Sequence, residues 1–102
     1  SSIKYAVKNP GMDPEAARFI RKDLTNIRCI GVDSISASPY NDREIGRETH
    51  RIFLQKHSFE GQPVCIIEDM DLSGNLTDLK KVFVVPLFIK GVDSAPCTVF
   101  AF

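Results

Sequence analysis

The sequence predicts an α/β or α+β fold, a mixed β-sheet carrying two helices, and three features predict it. Two stretches place apolar residues at helical spacing behind an acidic capping residue. Short β-branched runs stand between these stretches and after them. A strand, a helix and a second strand follow one another early in the chain, the order of a β-α-β element. With 102 residues, 43% hydrophobic and 25% charged, the chain falls in the globular class with apolar material for one core. A single domain over 1–102 is the expectation, with little margin for folding alone.

Residues 3–7 read as a short strand, followed by the turn signal Asn9-Pro10-Gly11. Asp13-Pro14-Glu15 then opens a helix. The Asp13 carboxylate can cap free N–H groups, and Pro14 suits the first helical position, where its missing N–H costs nothing. Ala16, Phe19, Ile20 and Leu24 follow at helical spacing, so that face is expected to pack on a sheet and the helix to end near Asn26. Residues 27–32 read as a buried strand that delivers Asp33 and Ser34 to its C-terminal edge.

A loop over 34–40 leads to Asn41-Asp42-Arg43-Glu44, which resembles a capping box and opens a second helix running to about Lys56. On it Glu44, Arg47, Glu48 and Arg51 are neighbours of mixed sign, while Ile45, Thr49, Ile52 and Phe53 form the less polar side. His50 lies at the border, with Gly46 one turn earlier leaving room beside the imidazole. Residues 64–67 read as another buried strand, ending in Glu68-Asp69, and residues 76–80 as a helical turn. Strands over 82–89 and 97–102 close the chain around a turn at 91–96, with Pro86 arguing for an edge or a bulge.

Composition excludes several functions. Thirteen basic and thirteen acidic residues cancel and are spread along the chain, which offers no basic face for nucleic acid. No apolar stretch approaches the ~20 residues of a membrane helix, and no apolar signal region opens the sequence, so a cytoplasmic location is expected. The three cysteines, Cys29, Cys65 and Cys97, sit in apolar runs without zinc-site or redox spacing, and buried reduced thiols are expected. Gly31 begins no dinucleotide fingerprint, and neither a P-loop nor a nucleophile elbow is present.

His50 and Glu68 are the pair with the chemistry of a site. A helix-borne imidazole and a carboxylate at the end of a strand suit a divalent metal, or serve as a general base and its partner. Their plainer reading is a half-buried packing histidine and a solvated strand-end acid, since two ligands do not complete a tetrahedral site. Asp33 and Ser34, at a strand terminus, are candidate substrate-binding residues, with local turn chemistry as the alternative. Tyr40, Asp69 and Asp71 have similar alternatives, and His57 reads as a loop residue.

Five segments in order resemble the later half of the cyclase family of metal-dependent hydrolases, which includes bacterial kynurenine formamidases. Pro10-Gly11-Met12-Asp13-Pro14-Glu15-Ala16-Ala17 resembles that family's P-G-(L/M)-S/D-x-E-A-A helix start, and Ile30-Gly31-Val32-Asp33-Ser34-Ile35-Ser36 its G-(I/V)-D-x-x-S strand and loop. Thr49-His50-Arg51-Ile52-Phe53-Leu54 is similar to its H-x-x-L-L helix, and Ile66-Ile67-Glu68-Asp69-Met70-Asp71-Leu72 to its I-x-E-(N/D)-L-x-L strand. The stretch from Pro86 to Pro96 closes the match as P-L-x-I-x-G-x-D-(G/A)-(S/A)-P.

The resemblance implies part of a swivelling β/β/α architecture and an amide hydrolase such as kynurenine formamidase (arylformamidase), which acts in tryptophan catabolism. It further implies a divalent metal, zinc or manganese, with His50 and Glu68 as ligands or catalytic groups beside it. The family's H-x-G-T-H-x-D-x-P motif has no counterpart here, where only two histidines occur, and Thr98 stands where many members carry Arg. The expectation is therefore a partial member, inactive alone, completed by a homo-oligomer or a complementary N-terminal-half chain. The alternative is a non-catalytic module of the same fold that binds a protein or a small ligand.

Overall fold

Helix α1, Pro14–Asp23, begins where the sequence provides its cap: the Asp13 carboxylate accepts the Glu15 N–H at 2.8 Å, and Pro14 occupies the first turn. The structure, a computed structural model, describes Lys4 and residues 7–102. The strand expected over 3–7 lies largely outside the described residues; its two described members, Lys4 and Val7, are helical. Helix α1 stops at Asp23 rather than near Asn26, because Leu24 leaves helical geometry. Its buried face also differs from the expected one. Ala17 and Arg21 are buried and Ile20 partly so, whereas Ala16, Phe19 and Leu24 are exposed. The face has turned to bring a guanidinium inward, for reasons that lie in the loop at 55–61.

Strand β1, Cys29–Gly31, pairs in parallel with β2, Cys65–Ile67, and Cys29, Ile30 and Gly31 stand opposite Cys65, Ile66 and Ile67. Between them in sequence runs helix α2, Arg43–Leu54, whose cap is Asp42: its side chain accepts the Ile45 N–H at 3.0 Å. Glu44 thus sits at the second helical position rather than closing a box on Asn41, and the helix ends at Leu54 rather than Lys56. The two helices pack together and α2 packs on β2. The core between them is Ala17, Ile52, Phe53 and Val64, bordered by Met12, Ile20, Ile27, Ile30, Phe59 and Ile66.

By the two-residue period of a strand, Ile30 and Ile66 face this core while Cys29 and Cys65 face away. All three cysteines are exposed, which corrects the expectation of buried thiols. The expectation took each strand as buried throughout, whereas Cys29 and Cys65 lie on the face of the β1–β2 pair that turns from the core.

The chain divides into two compact units, Ser1–Leu72 and Ser73–Phe102. The second is a hairpin of β3, Val82–Pro86, and β4, Cys97–Ala101, paired antiparallel from Val82 opposite Ala101 to Pro86 opposite Cys97. Strand β3 stops at Pro86, short of residue 89, although the Leu87 N–H still reaches the Pro96 carbonyl at 2.8 Å. The helical turn expected over 76–80 is an isolated turn at 77–78, where the Asn75 side chain accepts the Thr77 N–H at 3.1 Å. The fold is thus mixed α and β, with its described strands in two separate two-stranded sheets instead of one mixed sheet. Among the described residues no helix is long and apolar enough to cross a membrane.

Candidate functional site

His50 stands in the third turn of α2, and its Nδ1 lies 2.9 Å from the Gly46 carbonyl oxygen one turn earlier. A carbonyl only accepts, so Nδ1 carries the hydrogen and Nε2 is the nitrogen presented outward. Glu68 follows β2 directly, and its Oε1 lies 3.1 Å from His50 Nε2 across a separation of 18 residues. The same oxygen accepts the Ala37 N–H at 2.8 Å and the Ser36 hydroxyl at 3.1 Å. Both side chains are about one-third exposed, 32% for His50 and 33% for Glu68. The two residues that the sequence singled out as a pair are therefore in contact.

The room expected beside the imidazole is present as an open hollow that Gly46 and His50 both line. A Cβ on Gly46 would lie 2.9 Å from the Ser38 side chain, so the missing side chain lets the 34–38 loop approach the helix. That loop is held from within and from outside. The Ser34 hydroxyl donates to the Ser36 carbonyl at 2.8 Å. The buried Asn9 amide donates to the Ser36 and Ser38 carbonyls at 2.9 and 2.6 Å. Loop, helix and strand end converge on one carboxylate oxygen, and the arrangement can hold or move a proton at His50 Nε2.

Ser34 enters this arrangement through the loop it helps to hold, and Asp33 precedes it in the chain. They border a separate hollow of about 430 Å³ with Lys4 and Lys8, and the Ser34 carbonyl accepts the Asp69 N–H at 2.8 Å. Among the described residues Asp33 does not join His50 and Glu68 in a group that could hold a metal ion. Tyr40 borders the cleft beside His50, and His57 is an exposed loop residue.

In donor type the pair suits one divalent ion; two ligands of a tetrahedral zinc, each at about 2.0–2.2 Å, stand roughly 3.3–3.6 Å apart, a little wider than the 3.1 Å here. In donor number it does not, since an open catalytic zinc site takes three protein ligands. Among the described residues no group of three or more His, Cys, Asp or Glu side chains gathers where an ion could be held.

The sequence reading missed two features of this region. Ser36 and the Ala37 N–H anchor Glu68; Ser36 belongs to the G-(I/V)-D-x-x-S pattern, but a backbone donor has no signature. The second is Arg21, 2% exposed, whose guanidinium donates to the carbonyls of Ile52 at 2.6 Å, Gln55 at 2.5 Å, Phe59 at 3.3 Å, Glu60 at 3.0 Å and Gly61 at 3.3 Å. Burial lowers its pKa from the ordinary value, and the group stays charged because an arginine does not deprotonate in a protein. No family model, curated protein or solved structure matches this chain.

Proposed function

We propose that this chain is one part of a metal-dependent amide hydrolase of the cyclase family, and that His50 and Glu68 are its share of the active site. The observation that carries the reading is their contact at 3.1 Å, made by the helix-borne histidine and strand-end glutamate that the family resemblance pairs. The Gly46 carbonyl and the Ala37 N–H orient the two groups as outer contacts orient metal ligands and catalytic acids. The remaining ligands of a zinc or manganese ion come, in this reading, from a complementary N-terminal-half chain or a second copy.

Two sets of exposed side chains support an incomplete unit. A parallel strand pair is normally covered on both faces, and β1–β2 leaves Cys29 and Cys65 exposed. The hairpin exposes Phe83, Val85, Leu87, Phe88 and Phe100, the kind of surface that a partner covers.

Titration of the full chain with zinc and manganese tests the proposal. Weak binding is expected, with a Kd no tighter than about 10 μM from two ligands, and is expected to vanish in both His50→Ala and Glu68→Ala. Metal binding that survives both substitutions overturns it. A second reading has its own observation: Glu68 Oε1 takes three contacts that tie the 34–38 loop to α2, as a structural clamp in a non-catalytic module would. It predicts a lower melting temperature for Glu68→Gln and no metal binding by the parent chain.

A further inference from the structure

We propose that α2 and the loop facing it form a binding cleft for a small organic anion, a carboxylate or phosphoryl group on an apolar body. The cleft is an open hollow of about 630 Å³, within the range of small-molecule sites. Its helical wall carries Arg43, Arg47 and Arg51, one turn apart, with His50 beside them; among the described residues that line it none is a carboxylate, though Glu68 contacts two of them, His50 and Ser36.

The arginines are not equivalent. Glu48 pairs with Arg51 and with Arg18, each at 3.1 Å. Arg43 and Arg47 have no ion pair or hydrogen-bond partner for their side chains among the described residues. Their placement also opposes the helix. Arg43 is the first residue of α2, at the positive end of the helix dipole, and Arg47 repeats the charge at i+4. A bound anion reverses both terms. Guanidinium groups suit it because their planar fork meets a carboxylate or phosphoryl group through two parallel hydrogen bonds.

The opposite wall selects what the anion is attached to. The Ser36 hydroxyl is committed to Glu68, and the Ser38 hydroxyl to Ser36 Oγ at 2.9 Å, so recognition of charge falls to the arginines. What that wall does present is Ile35 and Tyr40, both exposed, on a loop that Asn9 holds in place. An apolar or aromatic body fits against them.

The test is titration of the full chain with sodium benzoate, phenyl phosphate and the neutral benzamide, followed by NMR of the backbone amides. Saturable shifts at Arg43, Gly46 and Arg47 are expected for both anions, with benzamide at least about tenfold weaker. The double variant Arg43→Gln, Arg47→Gln keeps good helix formers at exposed positions and is expected to weaken benzoate at least about tenfold, whereas Arg18→Gln leaves it unchanged. Benzoate tighter than phenyl phosphate, or the reverse, supports the site and assigns its preferred anion. Equal binding of benzamide, indifference to the double variant, or no saturable shift by about 10 mM overturns it. The inference is independent of the hydrolase reading: a chain that binds benzoate and no zinc keeps the one and loses the other.

Discussion

Arg21 shows how one residue organises a region without taking part in chemistry. The last carbonyls of a helix lack partners within it, and Arg21 reaches from α1 to the carbonyls of Ile52 and Gln55 at the end of α2. Its remaining hydrogens go to residues 59–61, and its guanidinium lies 5.7 Å from the Phe59 ring. Gly61 completes the fit: it has φ +79°, and a Cβ there would meet the Arg21 carbonyl oxygen at 2.2 Å. Removing the guanidinium leaves several carbonyls unpaired at once. Arg21→Ala is expected to cost about 3 kcal/mol in denaturant unfolding, and Arg21→Lys to recover less than about half, because a single ammonium cannot span the same set. A loss below about 1 kcal/mol for Arg21→Ala would show that water satisfies these groups instead.

Among the elements, the helices were the most legible because their starts are written in adjacent residues. Asp13-Pro14 gives α1 its cap and first turn, and Asp42 gives α2 its cap, one residue from the box that the Asn41–Glu44 spacing suggests. Asp42→Ala is expected to lower stability by about 1 kcal/mol and Asp42→Asn to restore most of it, since either side chain accepts the Ile45 N–H. Equal losses for the two variants would assign the effect to charge at the helix terminus rather than to the cap. The strands were legible in place but not in pairing. Nothing local tells the run at 27–32 that its partner is residues 65–67 in parallel, or the runs at 82–86 and 97–101 that they pair with each other.

For the whole molecule, the decisive quantity is apolar surface without cover. Phe88 is 92% exposed, and every residue of β3 is exposed. In the proposed reading a partner covers this hairpin, and for the chain alone that partner is a second copy. Sedimentation velocity is expected to show concentration-dependent association near about 100 μM, reduced at least tenfold in Phe88→Lys with Phe100→Lys. A strict monomer at that concentration would leave the complementary chain as the remaining partner.

The sequence by itself determined where the two helices begin, the position of the four described strands, the mixed α and β class, and the choice of His50 and Glu68 as the pair to watch. All of these follow from spacing, capping and side-chain type within a few residues. Tertiary structure alone decided that Arg21 turns inward, that the cysteines face outward, and that the 34–38 loop meets Arg43 and Arg47 across one cleft. The reason is physical: which face of an element is buried, and which backbone groups need a partner, depend on the segments that meet it, and those lie tens of residues away in the chain.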